Sequence, residues 1–210
     1  MQHVNGIDVS GFQDPVDFMK VRGGGYSFAY AKCTQGSGFY ESTYAAKRTD
    51  AYQAGVLFGA YHFMDWTADA HQQAAWFLTN AKPKNGDLPP VLDCEWDDSV
   101  GPFPLEPDAA IAHVATWLNV VLQAVKTFPV IYLNPNFWRT KLAATDGFSG
   151  HPLWLAEYGV AAPESLNTWA PKLWQYSSTG TVPGIANDVD LDWFLGDMAE
   201  LNNFRLSKVP

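Results

Sequence analysis

Five short apolar strand runs alternating with helix-spaced segments, then three more with no helices between them, predict an α/β barrel in a single domain over residues 1–210. Alternation argues for a parallel sheet wound with helices. A full (β/α)8 barrel typically takes about 250 residues, so 210 residues imply that crossover helices are missing near the C-terminus. The expected architecture is a TIM-like (β/α)5β3 barrel. The third observation is chemical. Every expected strand carries a polar or ionisable residue at or near its C-terminal end, where such barrels gather their active sites.

Val4–Val9 is the first strand and carries Asp8 ahead of Ser10-Gly11. Pro15–Val21 reads as a brief helix, broken by Gly23-Gly24-Gly25. Tyr26–Cys33 is the second strand and runs into Thr34-Gln35-Gly36. Ser42–Ala54 has helical spacing, with Ser42 as cap and Gly55 as stop. Val56–Phe63 is the third strand, and Asp69–Asn80 the helix after it, with Ala70, Ala74, Phe77 and Leu78 on one face. Pro89-Pro90 precede a fourth, buried strand beginning at Val91-Leu92. After the Pro-rich stretch Gly101–Pro107, the longest helix, Asp108–Thr127, carries an apolar stripe of Ile111, Ala115, Leu118, Leu122 and Val125. Pro129–Leu133 is the fifth strand. Pro152–Ala156, Leu173–Tyr176 and Val189–Leu191 are the last three, with Thr179–Gly184 as a hairpin turn.

The chemistry concentrates in Leu88–Asp98, Leu-Pro-Pro-Val-Leu-Asp-Cys-Glu-Trp-Asp-Asp. Residues two apart on a strand share a face, so Asp93 and Glu95 point together while Cys94 points away. Two buried acids disfavour each other's ionisation. Glycoside hydrolysis uses that situation, one carboxyl protonated and one charged. A solvated acidic turn is the competing reading, since Asp97 and Asp98 follow. Around the barrel the other strand ends add Asp8, Lys32 with Gln35, His62 with Asp65, Tyr132 with Asn134, Glu157 with Tyr158, Gln175 with Tyr176, and Asp190. Singly each could be structural, His62 above all as a packing residue. Together they point to a sugar-hydrolase site. Tyr61, Trp66 and Trp96 join the candidates as flat aromatic faces for a sugar ring.

Composition bounds the partners. A net charge of −9 supplies no basic footprint for nucleic acid or an anionic membrane, and no apolar run of about 18 residues marks a membrane span. Aromatic residues make up 15% of the chain, including nine Trp, and charged residues only 17%. That balance suits sugar rings better than charged targets. Cys33 and Cys94 form no disulfide framework and no metal-ligand spacing, and both are expected as free thiols. Asp188-Val189-Asp190-Leu191-Asp192 superficially resembles a calcium loop, but Trp193 stands where the turn needs Gly and Ala199 where the bidentate Glu belongs. No metal or cofactor is expected, and a monomer is. The opening Met-Gln-His-Val-Asn-Gly shows no signal-peptide pattern.

Several stretches taken together resemble the family 25 glycoside hydrolases, the Chalaropsis-type lysozymes or N-acetylmuramidases. They are Gly6-Ile7-Asp8-Val9-Ser10 with Gln13, Phe28–Gly36, Gly59–Phe63, Leu88–Glu95, Val130–Trp138, Pro152–Tyr158 and Leu173–Asp190. The resemblance implies the same (β/α)5β3 barrel and hydrolysis of the β-1,4 bond between N-acetylmuramic acid and N-acetylglucosamine in bacterial peptidoglycan. It implies Glu95 as general acid/base, with Asp93, Asp8 and Asp190 as the other active-site acids. Gln35 departs from the Glu of the family's frequent Ala-Thr-Glu-Gly run, which is expected to alter a neighbouring hydrogen bond or substrate contact. No wall-binding repeat follows the barrel. A lone catalytic domain of this kind resembles a phage lysin released through a membrane pore, or a secreted enzyme whose signal has been removed.

Two alternatives stand beside this reading. A chitinase-like barrel also uses Asp-x-Glu at a strand end, but usually with further acids and a Gly just upstream, where this chain has Pro89-Pro90-Val91-Leu92. A non-catalytic glycan-binding barrel would be expected to have lost one of the four acids. The expected mechanism has Glu95 protonating the glycosidic oxygen while ionised Asp93 stabilises a ring formed by the substrate's 2-acetamido oxygen, giving net retention. Asp93 is expected to hold Glu95 protonated by like-charge repulsion.

Overall fold

The computed structural model describes residues 2–210. Nine strands form one sheet: β1 (Val4–Val9), β2 (Phe28–Gln35), β3 (Phe39–Tyr40), β4 (Leu57–Phe63), β5 (Val91–Asp93), β6 (Val130–Leu133), β7 (Leu153–Ala156), β8 (Pro171–Gly180) and β9 (Val189–Phe194). All but β3 close into a barrel. Its neighbours pair in parallel from β1 round to β8, and β9 closes the ring antiparallel to both β8 and β1. Helices α1 (Phe18–Gly23), α2 (Tyr44–Gln53), α3 (Ala70–Ala81), α4 (Pro107–Val125) and α5 (Pro135–Lys141) follow the first five barrel strands. Among the described residues no α-helix separates β7, β8 and β9, and α6 (Met198–Asn203) comes after them. This is the (β/α)5β3 order expected.

The two-residue strand period sorts the side chains into two cores. Phe28, Tyr30, Val91, Val130, Trp154, Leu173 and Phe194 pack inside the barrel. Ile7, Val9, Ala29, Ala31, Phe58, Leu92, Ile131 and Leu155 pack outward against the helices. The large inner rings need bare backbone opposite them. A Cβ on Gly6 would sit 2.2 Å from the Phe28 ring, and one on Gly59 2.2 Å from Tyr30. Aromatic bulk therefore plugs the lower barrel and leaves the polar strand ends above it. Both cysteines are free and buried in the outer layer.

Three expectations are corrected. Helix α1 starts later than Pro15, because the Asp17 carboxylate caps it by accepting from the Lys20 amide at 3.1 Å. Thr43, not Ser42, precedes α2, and its hydroxyl donates to Asp14 Oδ2 at 2.6 Å instead of capping the helix. The buried stripe of α4 is Ala110, Val114, Trp117, Leu118, Val121 and Val125, shared with the expected one only at Leu118 and Val125. The helix is apolar around most of its first turns, so spacing alone left its rotation open. Its 19 residues are long and apolar enough to cross a membrane, but Asp108, His113, Thr116, Asn119 and Gln123 interrupt any continuous apolar run, and the helix packs against α3 and β5.

Candidate active site

At the C-terminal mouth of the barrel the inward positions open into a cavity of about 220 Å³. Asp8, Tyr61, Asp93, Glu95, Tyr132, Tyr158, Gln175 and Asp190 line it, with Val91 and Trp154 as apolar walls. Strand alternation delivers them. On β5, Val91 and Asp93 face inward while Leu92 and Cys94 join the outer layer. Asp93 lies level with Phe63 of β4 and Tyr132 of β6. Asp8 sits directly opposite Asp190 across the antiparallel β1–β9 pair. The spacing argument for Asp93 and Glu95 therefore holds in three dimensions, and two further acids face them from the other side of the ring.

Gln175 ties the site together. Its Nε2 donates to Asp8 Oδ2 at 2.7 Å, and its Oε1 accepts from Tyr132 Oη at 2.9 Å and from Tyr158 Oη. The Asp8 carboxyl also lies within hydrogen-bonding reach of Asp190 and Asp192. Lys32 Nζ donates to Gln35 Oε1 at 2.7 Å and lies 4.6 Å above the Phe63 ring. The neutral Gln35 amide leaves the Lys32 charge acting on Asp93 and Glu95, both of which it favours as anions.

Burial sets the protonation of the acids. Asp8 and Asp93 are each 7% exposed, and Asp192 is fully buried. Burial first, then the charges of Asp192 and Asp190, lift Asp8 well above the usual carboxylate range against the Gln175 hydrogen bond. Burial lifts Asp190 to about 6, opposed by the hydrogen bond from Asp8. Asp93 is raised well above its ordinary value by burial and then by Glu95. Glu95 is raised by burial, with Lys32 pulling it down and Asp190 pushing it up. Asp93 is the deeper carboxyl, and each acid disfavours ionisation of the other, so the two titrate as a coupled pair. Asp93 Oδ1 is buried without a hydrogen-bond partner among the described residues.

Several sequence candidates lie outside the cavity. His62 is fully buried behind the wall, stacked on Trp117 with ring centroids 5.7 Å apart and bonded to Thr34 Oγ1 at 2.7 Å and Gln73 Oε1 at 3.1 Å. Its neighbour Tyr61 takes the inward position, so strand alternation forces His62 out. Trp66 is buried and holds the Glu95 carbonyl through its indole N–H at 2.9 Å, so it supports the acid instead of meeting a sugar. Asn134 caps α5, accepting from the Phe137 amide at 2.8 Å. Glu157 accepts from the Glu164 amide at 2.8 Å and fixes the loop after β7. Trp96 donates to the Gly101 carbonyl at 3.0 Å and packs on Phe103 beyond the cavity rim.

One residue escaped the sequence reading. Asp192 lies inside the barrel one layer below Asp190, level with Gln175 and Gly6. Its Oδ1 accepts from the Trp154 indole at 2.9 Å, and its carboxyl lies within hydrogen-bonding reach of Asp8. The signal was present, because Asp192 stands two positions from Asp190. The expected strand ends at Leu191, whereas β9 runs on to Phe194 and carries Asp192 inward.

The chain as a whole is similar to known proteins in sequence and in fold. Residues 7–185 fit the model of the glycosyl hydrolases family 25. Lysozyme M1 of Streptomyces globisporus is 35% identical over 210 residues, covering 94% of this chain and 70% of that protein. An N,O-diacetylmuramidase of Arthroderma benhamiae is 30% identical over 185 residues, covering 86% and 72%. The crystal structure of a bacterial lysozyme from Streptomyces coelicolor superposes with a TM-score of 0.92 at 33% identity, covering 97% of both chains. By sequence and by fold, this chain belongs to family 25 of the glycosyl hydrolases.

Proposed function

We propose that the chain is a lysozyme of the muramidase type. It hydrolyses the β-1,4 bond between N-acetylmuramic acid and N-acetylglucosamine in bacterial peptidoglycan, with net retention. Its place of action is the bacterial wall, reached by secretion or on release from a phage-infected cell. The relatives' names support the substrate, and one observation carries the mechanism: Asp93 Oδ1, buried in the cavity wall without a hydrogen-bond partner among the described residues, two residues from Glu95. A substrate acetamido N–H is the donor that oxygen lacks. Hydrogen bonding to a carboxylate favours its charged form, so docking drives Asp93 to ionise and its proton passes to Glu95. Glu95 then protonates the leaving glycosidic oxygen. Ionised Asp93 steadies the positive ring formed as the acetamido oxygen attacks the anomeric carbon. Glu95, now a base, takes a proton from the water that opens the ring. Asp8, Asp190 and Gln175 orient the sugar and set the field, and Tyr61, Tyr132, Tyr158, Lys32 and Gln35 complete its surroundings.

The test is clearance of bacterial walls followed by analysis of the new reducing ends. Wild type is expected to expose N-acetylmuramic acid ends, with β-anomer formed first when read by NMR before mutarotation. Glu95→Gln should lose about 10²–10⁴-fold in rate, the usual contribution of a general acid/base, with its melting temperature kept. Activity within about threefold of wild type would remove Glu95 from the role. Initial α-product would overturn retention but leave the site standing.

A further inference from the structure

We infer that Phe12 and Phe39 form a built platform beside the acid cavity that binds a sugar of the same glycan strand, away from the bond being cut; this rests on the muramidase reading above. A second cleft of about 320 Å³, lined by Ser10, Gly11, Phe12, Lys32, Phe39 and Glu41, lies at the β1–β2 rim. It lies beside the catalytic cavity, since Lys32 on β2 pairs with Tyr61 of the cavity wall on β4, and Ser10 stands two residues beyond Asp8. Phe12 is 83% exposed and Phe39 49%, an unfavourable placement for apolar rings on a free surface.

Backbone anchors fix where the two residues stand, and the Lys32 ammonium lies 5.6 Å from the Phe39 ring centroid. The Phe12 carbonyl accepts from Asn187 Nδ2 at 2.7 Å, and its amide is capped by the Ser10 hydroxyl at 3.3 Å. Next to it, Gln13 Nε2 reaches the Asp188 carbonyl at 3.1 Å and the Gly11 amide donates to Glu41 at 3.1 Å. Phe39 stands on β3, where Gln35 pairs with it and the Trp76 indole donates to its carbonyl at 2.9 Å. Fixing the backbone beneath an exposed ring lowers the part of the ordering cost that the backbone would add when something binds against it.

The occupant is a neutral, hydroxyl-bearing ring and not a peptide stem. Flat aromatic faces match the C–H faces of a sugar, and the Glu41 carboxylate at the floor accepts hydroxyl donors. The one cation in the cleft, Lys32, is already directed at Gln35, Asp93 and Glu95. A carboxylate-bearing stem would meet Glu41 on a chain of net charge −9. Position in the ring fixes the direction of the strand as well. The β1–β2 rim lies across the barrel from β6 and β7, after which Tyr158 stands 49% exposed. The glycan therefore crosses the mouth from Phe12 and Phe39 to Tyr158, with the acids beneath it.

The experiment measures kcat and KM on peptide-free glycan fragments of increasing length, and on the same fragments with stems attached. For wild type, kcat/KM is expected to rise as fragments grow long enough to reach the platform. Phe12→Ala should cancel that rise, costing roughly tenfold on long fragments through KM and less than about twofold on the shortest one cut, because remote binding of this kind is uniform. Phe12→Trp should restore it. An unchanged melting temperature is expected, since the ring is exposed. Equal loss on all lengths, or no loss on any, overturns the platform. Loss only when stems are attached overturns the sugar in favour of peptide. Failure of wild type to cut any fragment condemns the hydrolase reading itself.

Discussion

On β4, Tyr61 and His62 are neighbours with opposite surroundings. Tyr61 lines the acid cavity, while the His62 ring is wedged between Trp117 and Phe77 and bonded at both nitrogens. Burial lowers the His62 pKa to about 4, so it is neutral in the folded chain near pH 7. His62→Ala would empty a core site and strip a partner from Thr34. It should cost about 2–4 kcal/mol, lowering the melting temperature by roughly 5–15 °C for a chain this size. Turnover per folded molecule should stay within about threefold of wild type, measured well below the melting point. A hundredfold loss in turnover with unchanged stability would return His62 to the reaction. The same pair shows what the sequence makes legible. The period of two placed Asp93, Glu95 and Cys94 correctly, and applied to Tyr61 it excludes His62 and applied to Asp190 it finds Asp192. Trp66, Asn134 and Glu157 differ in kind. Their side chains serve local backbone groups, and nothing in residue type separates a capping Asn from a sugar-binding one.

At the scale of elements, strand order and the missing late helices were readable because each strand run is short and bounded by turn residues. Helix rotation and β3 were not. The α4 stripe is decided by which apolar side chains α3 and β5 accept, and β3 exists through its pairing with Thr34 and Gln35 on β2. Helix ends carry a further lesson. Both α3 and α4 finish on a lysine in the left-handed region, Lys82 at φ 44° and Lys126 at φ 56°, a position that favours glycine. Each amide still closes its helix, Lys126 donating to the Leu122 carbonyl at 2.9 Å and Lys82 to Leu78 at 3.2 Å. The positive charge near the last carbonyls offsets part of the backbone strain. Lys126 is exposed and outside the active site, so Lys126→Gly should relieve the strain and stabilise the chain by about 0.5–1 kcal/mol. Urea denaturation checks it, and a loss of stability would show that the lysine charge outweighs the φ penalty.

For the whole molecule, the barrel encloses its acids at a cost in stability that pH controls. Asp8, Asp93, Glu95, Asp190 and Asp192 are all raised in the folded chain, burial being the first cause for each. Unfolded, they titrate near 3.9–4.3. Below that range both states are protonated and the fold keeps its full stability. As pH rises, the unfolded chain sheds protons that the folded chain retains, so unfolding becomes easier with pH. For Asp190 the window runs from about 4 to about 6, and the deeper acids extend it upward. His62, depressed to about 4, works the other way between about 6.5 and 4, as does His151, lowered by burial, but they are two groups against five. Stability should therefore fall between pH 5 and 7.5. Asp192 is the cleanest probe, being fully buried and outside the lining of the catalytic cavity. Asp192→Asn keeps an oxygen for the Trp154 indole and gives Asp8 a donor, while removing the ionisable group. It should stabilise the fold at pH 7 by about 1–3 kcal/mol, seen as a melting temperature higher by roughly 2–10 °C. That gain should shrink towards zero at pH 4. Activity should fall, because Asp8 then loses the neighbour that helps keep it protonated and carries its charge into the substrate cavity. A gain that does not vary with pH would mean that packing, and not the proton, sets the cost. Destabilisation at pH 7 would mean that the three-carboxyl chain of Asp8, Asp190 and Asp192 holds the barrel together.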